Sequence, residues 1–242
     1  ARIDLRRHHG SHPHVGAVDV VPIVHLDDAR RGAACVEALV VADLHLEKAS
    51  AFAATGQLLP PYDSVDTLAE IERLAGQNDV EAVYCLGDNF HDSGGEQRLP
   101  DMAAARLTAL TQRYRWVWTT GNHDPSLSAK WGGSSVDETE LSGIVLRHEA
   151  EPDETQPEIS GHFHPKFRQL LRGRIVSRRC FVKSDRKIIM PALGALTGGL
   201  DVDDPAITKA CGLRNNDRIV AIVPTRSGLT RFSLSGSVSF AK

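Results

Sequence analysis

Five short segments carry residues able to hold cations and handle protons. They are Asp43 and His45 in "VVADLHLEK", Asp88 in "CLGDNFHD", Asn122 and His123 in "TTGNHDP", the isolated His148 in "RHEAE", and His162 and His164 in "GHFHP". Taken singly each is weak: a D-x-H or H-x-H recurs by chance, and Gly, Asn, Asp and Pro are ordinary turn residues at a strand exit. Taken in order they form a set of oxygen and nitrogen donors without a thiolate. That mix suits Mn²⁺, Fe or Zn²⁺ and leaves one carboxylate free to bridge two ions. Residues two apart on an extended strand point the same way, so Asp43 and His45, like His162 and His164, are expected to share a side. Glycines before Asp88, Asn122 and His162 would let the backbone turn sharply and approach a bound group closely.

Such residues act together only if the elements carrying them end together. "AVDVVPIVHLD" and "AACVEALVVADLH" read as β-rich runs. In "GQLLPPYDSVDTLAEIERLAG", Val65, Leu68, Ile71 and Leu74 recur at helical spacing, with Asp63 or Ser64 as the expected cap and Gly76 as the stop. "VEAVYCLGD" is a short strand, Pro100 and Asp101 open a second helix, and "RWVWTTGNHD" is a further strand. This alternation implies a parallel sheet, and in such sheets function gathers at the carboxyl ends of the strands. "EAEPDETQPE", from Glu149 to Glu158, reads as a mobile surface loop. Residues 166–190 read as short antiparallel strands with turns at Arg172–Gly173 and Ser184–Asp185. Residues 1–16, with His8, His9, His12 and His14, read as a flexible leader able to bind metal adventitiously, and 17–242 as one domain.

Bulk properties exclude several classes. The 242 residues are 41% hydrophobic and 24% charged, which argues against disorder and leaves enough chain for a sizeable core. No apolar run approaches the ~20 residues that span a bilayer. Arg6 and Arg7 are followed by no apolar stretch, so no export signal is read and a cytoplasmic protein is expected. Cys35, Cys85, Cys180 and Cys211 form no CxxC pair, which argues against a disulfide framework or a thiolate zinc site.

The ordered motifs resemble those of the calcineurin-like metallophosphoesterase superfamily. With "LVVADLHLEKASAFAATGQLLPPYD", "CFV" and "PALGALTGGLDVDDPA" added, the chain after residue 35 resembles the bacterial DNA-ligase-associated metallophosphoesterases, which are DNA-damage-response endonucleases. The resemblance implies an α/β fold, a four-layer α-β-β-α sandwich in a single domain. It implies Asp43, His45, Asp88 and His164 as ligands of one metal, and Asp88, Asn122, His148 and His162 as ligands of a second, with Asp88 as the bridge. His148 is preferred as the histidine between His123 and His162. His123 matches a non-ligand histidine facing the scissile phosphate. His91, three residues after the bridge, stands where the protein-phosphatase branch has Asp and where double-strand-break repair nucleases have His; it is expected to orient His123.

Two divalent ions, manganese first with iron or zinc as alternatives, would generate a hydroxide and clamp phosphate oxygens for in-line attack, with His123 assisting the leaving alkoxide. The expected function is a metal-dependent phosphodiesterase, a DNA nuclease in repair with a functional association to a DNA ligase. The competing readings are a phosphoesterase for a cyclic nucleotide or nucleotide diphosphate conjugate, and a non-enzymatic interaction module. The net charge of −3 does not advertise nucleic-acid binding. Between Lys166 and Lys187, however, lie Lys166, Arg168, Arg172, Arg174, Arg178, Arg179, Lys183, Arg186 and Lys187 against Asp185 alone. That run could lead a polyanion to the metals, with Arg172, Arg174, Arg178 and Arg179 projecting together, or be a solvated hairpin face. Lys48 could touch phosphate or be an exposed helix-start charge.

Overall fold

Short apolar runs flanked by helices form parallel strands because both of their faces can be covered. In the computed structural model, which describes residues 38–78, 80–171, 173–212, 218–225 and 228–234, this holds for the N-terminal half. Strand β1 (Ala38–Ala42) leads through helices α1 (Lys48–Ala54) and α2 (Asp63–Gln77) to β2 (Ala82–Leu86). Helices α3 (Gly95–Arg98) and α4 (Asp101–Arg113) then lead to β3 (Arg115–Thr119) and β4 (Ser134–Val136). The four strands pair in the order β1-β2-β3-β4, all parallel. Ala42 is level with Leu86, and Leu86 with Thr119, so three strands end at one height. The leader, the run before Ala38 and Cys35 lie outside the described residues.

The C-terminal half builds a second, mixed sheet. Its strands are β5 (Glu138–Leu141), β6 (Ile144–Arg147), β7 (Glu158–Ser160), β10 (Phe181–Lys183), β11 (Lys187–Ile189), β12 (Ile219–Thr225) and β13 (Gly228–Leu234), ordered β13-β12-β10-β11-β7-β6-β5. Strands β8 (Lys166–Leu171) and β9 (Arg174–Arg179) form a separate antiparallel hairpin, as the turn at Gly173 suggests. Within the sheet β6 and β7 are parallel, with Leu146 level with Ile159, so they too end together. Sequence reading missed this pair because strands of four and three residues carry no resolvable period.

Side-chain alternation assigns the layers. Leu39, Val41, Val83 and Cys85 face Leu68, Ile71 and Leu74 of α2 and Leu107 and Leu110 of α4. The intervening Val40, Ala42, Ala82, Tyr84 and Leu86 face Leu146, Ile159, Phe181 and Met190 of the second sheet. Beyond that sheet, Cys180, Val182, Ile189 and Ala221 pack under Ile207 and Ala210 of helix α5 (Pro205–Ala210). The order helix, sheet, sheet, helix is the expected four-layer α/β sandwich. Cys85, Cys180 and Cys211 are buried free thiols.

Three local expectations are corrected. Neither Asp63 nor Ser64 caps α2, whose cap position is Tyr62 without a side-chain bond. Asp63 instead accepts from Ala49 N at 3.0 Å, and Ser64 bonds both the amide and the carboxylate of Glu47, at 2.8 and 2.7 Å. Gly76 does not stop the helix, which runs on to Gln77. The acidic segment 149–158 is pinned rather than free: Arg147 grips Glu154 at 2.9 Å, Arg186 bonds Thr155 O at 2.9 Å, and Lys187 bonds Glu151 O. Its last residue, Glu158, is buried in β7 beside Lys187.

Leu146, at 0% exposure, fills the layer between the sheets. Leu146→Ala should cost about 2–5 kcal/mol of unfolding free energy in urea titration. Met102→Ala, on the open face of α4 at 69% exposure, should stay within about 0.5 kcal/mol.

Candidate metal centre

The level strand ends place the sequence-selected residues at one edge. Asp43 follows β1, Asp88 follows β2 and Gly87, Asn122 follows β3 after Thr120 and Gly121, His148 follows β6, and His162 follows β7 and Gly161. The D-x-H and H-x-H pairs do not converge by strand alternation, as expected from sequence, because β1 has ended at Ala42. Asp43, His45, Asp88, His162 and His164 all lie in the left-handed region, with φ of 53°, 43°, 46°, 70° and 48°. Each such residue costs on the order of 1–3 kcal/mol and persists only where its surroundings over-determine it. They do so here through backbone bonds: His45 N to Asp88 O at 2.8 Å, Leu46 N to Asn89 O at 2.9 Å and His91 N to Leu46 O at 2.9 Å. From the other side Leu193 N bonds Ala42 O at 2.8 Å and Gly194 N bonds Asp43 O at 3.1 Å.

Two glycines act by absence of bulk rather than by turning. Gly121 and Gly161 have ordinary φ, but a Cβ on Gly121 would overlap the amide and carboxylate of Asp88, and one on Gly161 would lie 2.5 Å from Asp43 Oδ2. The side chains of Asp43 and Asp88 occupy that space, and each accepts a backbone amide there: His162 N to Asp43 at 3.0 Å and His123 N to Asp88 at 2.9 Å.

Of three donor sets among the described residues, two share Asp88, and the third is His45, His91 and His123. Asp43, His45, Asp88 and His164 bring ligand atoms within 4.8 Å of one another, as do Asp88, His148 and His162. Asn122 joins the second set, its Oδ1 lying 2.9 Å from His148 Nε2 and 3.1 Å from His162 Nδ1. In the first set His45 Nε2 and His164 Nε2 face each other at 3.3 Å. His148 Nδ1 is 3.1 Å from the carbonyl of Leu86, which can only accept, so this nitrogen carries the proton and Nε2 turns its lone pair to the centre. Buried carboxylates ringed by imidazole lone pairs fit divalent cations by charge and by donor type.

His123 sits at the mouth, its side chain 40% exposed and its Nε2 3.9 Å from Asp88 Oδ2. Its Nδ1 donates to the backbone carbonyl of His91 at 2.7 Å. This contact between the two residues is made by the main chain of His91. The His91 ring stacks on His123 at 5.3 Å and directs Nδ1 toward His45 Nδ1 at 3.4 Å. Sequence reading missed Asp124, which closes the "GNHD" turn onto "GDNF" by accepting from Asn89 N at 2.8 Å and Phe90 N at 3.1 Å. Burial pushes its carboxyl up to about 6. Burial, with His164 next in effect, presses His45 down to about 2, so this imidazole stays neutral. Burial and Lys48 lower His91, and burial and His148 lower His162.

The basic run does not form one face. Arg172 lies outside the described residues. Arg178 and Arg179 are neighbours on a strand and point oppositely. Arg179 is consumed internally, donating to the carbonyls of Leu193 at 3.0 Å and Gly194 at 2.6 Å. Lys187 is buried against Glu158, and Arg186 holds the 149–158 segment. Among the described residues no helix is long and apolar enough to cross a membrane.

The calcineurin-like phosphoesterase family matches residues 37–177, more than half of the chain, and the formiminotransferase domain, N-terminal subdomain, matches residues 1–52. No curated protein matches the chain. Among solved structures, the Pseudomonas putida nuclease MPE is similar at 29% identity and a TM-score of 0.58, over 76% of this chain and 84% of that one. A predicted phosphoesterase of Streptococcus pneumoniae matches at 16% identity and a TM-score of 0.32, over 81% of this chain and 97% of that one.

Between pH 6.5 and about 2 only the unfolded chain protonates His45, so its contribution to stability is full above pH 6.5 and is lost as pH falls. Denaturation of the metal-free protein in a chelator should show wild type losing about 1 kcal/mol more than His45→Gln between pH 7.5 and 5.5. Parallel pH profiles would show that the imidazole is solvated instead.

Proposed function

The chain belongs to the calcineurin-like phosphoesterase family, and from that premise we propose that it is a dinuclear metal-dependent phosphodiesterase that cleaves DNA. The observation that carries the reading is the pair of donor sets sharing Asp88, with His123 at their mouth. Asp43, His45, Asp88 and His164 would hold one cation, and Asp88, Asn122, His148 and His162 the other. When bound, a pair of divalent cations supplies Lewis acidity, offsetting phosphodiester charge and acidifying the attacking water.

The chain's own residues supply the rest. The carbonyl of His91 fixes the Nδ1–H tautomer of His123, so Nε2 is the nitrogen that can carry a second proton toward a leaving alkoxide. Such a transfer is worth roughly 10²–10⁴-fold. Leu86 O fixes His148 in the complementary sense, with Nε2 as a donor atom to metal. Support for DNA as substrate comes from the likeness to a nuclease at 29% identity and from His91 at the offset seen in break-repair nucleases. A role in repair beside a ligase is part of the same proposal and rests on the sequence resemblance to DNA-ligase-associated metallophosphoesterases.

Asp88→Asn should abolish turnover of both DNA and bis-p-nitrophenyl phosphate and lower bound manganese, because one carboxylate serves both sets. His123→Ala should keep both ions while slowing DNA cleavage about 10²–10⁴-fold. Metal analysis of the two variants separates them, and equal metal loss in both would show His123 to be a ligand. Wild-type cleavage of DNA should fall steeply with salt, as polyanion binding requires. Turnover of small diesters alone would favour a nucleotide-sized substrate.

A further inference from the structure

On the His164 side of the centre the structure gathers cations that the chemistry above leaves unused. Lys166 and Arg179 are cross-strand partners at the base of the β8–β9 hairpin. Their heads meet at Thr197, Lys166 Nζ donating to its carbonyl and Arg179 Nη2 to its hydroxyl, each at 3.1 Å. Arg168, two residues on and so on the same face as Lys166, lies 3.8 Å from Asp201 through Nε. Lys48 opens α1 three residues after His45 and rests its Nζ 5.8 Å from the ring of Phe52, which itself contacts His91. Burial, then Arg179, Arg168 and Lys48, lower Lys166, so three cations act on this ammonium. Cations held this close are stabilised by an anion among them.

The same hairpin face continues outward. After Lys166 and Arg168 comes Leu170, paired across the strands with Ile175. They are 69% and 74% exposed, an apolar pair at a hairpin tip with cations below it. The opposite face is covered only at its base, where Phe167 stacks on Phe232 of β13 at 4.3 Å; Gln169, Arg174 and Arg178 beyond it are exposed. From Lys166 to Leu170 the strand rises about 13 Å, about four base-pair steps of DNA.

We propose that this face of the β8–β9 hairpin is the track along which a DNA strand leaves the metal centre, with Lys48, Lys166 and Arg168 facing its phosphates and Leu170 and Ile175 contacting an unpaired base. The inference rests on the DNA reading and adds to it the direction of the strand, past His164, and a preference for DNA whose bases are open there. Apolar side chains in nucleic-acid interfaces act in this way, against unstacked bases.

The test uses the full chain, a labelled single-stranded oligonucleotide, a blunt duplex and bis-p-nitrophenyl phosphate. Leu170→Ser with Ile175→Ser should weaken binding of the single strand, read by fluorescence anisotropy in chelator, and its manganese-dependent cleavage, each by about 5-fold or more. Hydrolysis of the small diester and the melting temperature should match wild type. Lys48→Gln with Arg168→Gln should flatten the salt dependence of binding by about one to two units of log–log slope. Ile175→Tyr should tighten single-strand binding. Unchanged single-strand binding and cleavage in the apolar double variant overturns the track and leaves the tip to a protein partner. A wild type that hydrolyses only the small diester overturns the DNA reading, and the track with it.

Discussion

Two buried carboxylates govern the architecture. Asp43 and Asp88 are 0% and 2% exposed, and among the described residues their ion-pair partners are histidines, with no lysine or arginine. Burying a charge is costly unless hydrogen bonds and opposite charge compensate it. The backbone provides part of that compensation, since His162 N and His123 N each donate to one of the two. The imidazoles can provide the remainder when their lone pairs share a cation with the carboxylates. The same interaction that makes the edge a place for metal thus dictates how tightly five loops must close around it.

That closure explains features otherwise unrelated in sequence. Five left-handed non-glycine residues sit at this edge, and the strands beneath are too short and too firmly paired to relax them. The loop 193–199 reaches up from the second sheet to bind Ala42 and Asp43, and Arg179 fastens it through three of its carbonyls. Glu47, Ser64 and Asp63 tie the start of α1 to α2 by buried side-chain bonds. None of these residues need touch a metal or a phosphate. They hold the ones that could.

The charge of the second half acquires a different meaning in three dimensions. A run of nine cations reads as one electrostatic surface, yet Arg179, Arg186 and Lys187 are committed to carbonyls and to Glu158. Beside His45 and His164 in the chain stand Lys48 of α1 and Lys166 with Arg168 of β8, of which Lys166 bonds Thr197 O at 3.1 Å and Arg168 lies 3.8 Å from Asp201. Net negative charge and a local cationic approach therefore coexist without conflict, because steering depends on the field near the cleft.

The donor types, their order and the parallel half of the fold are legible in the residues alone, since "ADLH", "GDNFHD" and "GNHD" each end an apolar run and strand–helix alternation leaves little choice of sheet. The sequence also marked His148, though nothing around that residue told which nitrogen would face inward. Tertiary structure decided the remainder. Left-handed turns, rather than strand pleating, bring Asp43 to His45 and send His162 and His164 to separate donor sets, and such turns depend on long-range backbone bonds that no local window contains. The parallel β6–β7 pair, the Leu86 carbonyl that sets the His148 tautomer and the His91 carbonyl that sets that of His123 arise the same way. So does the division of the basic run, because whether an arginine meets solvent or a carbonyl is settled by what the fold packs against it.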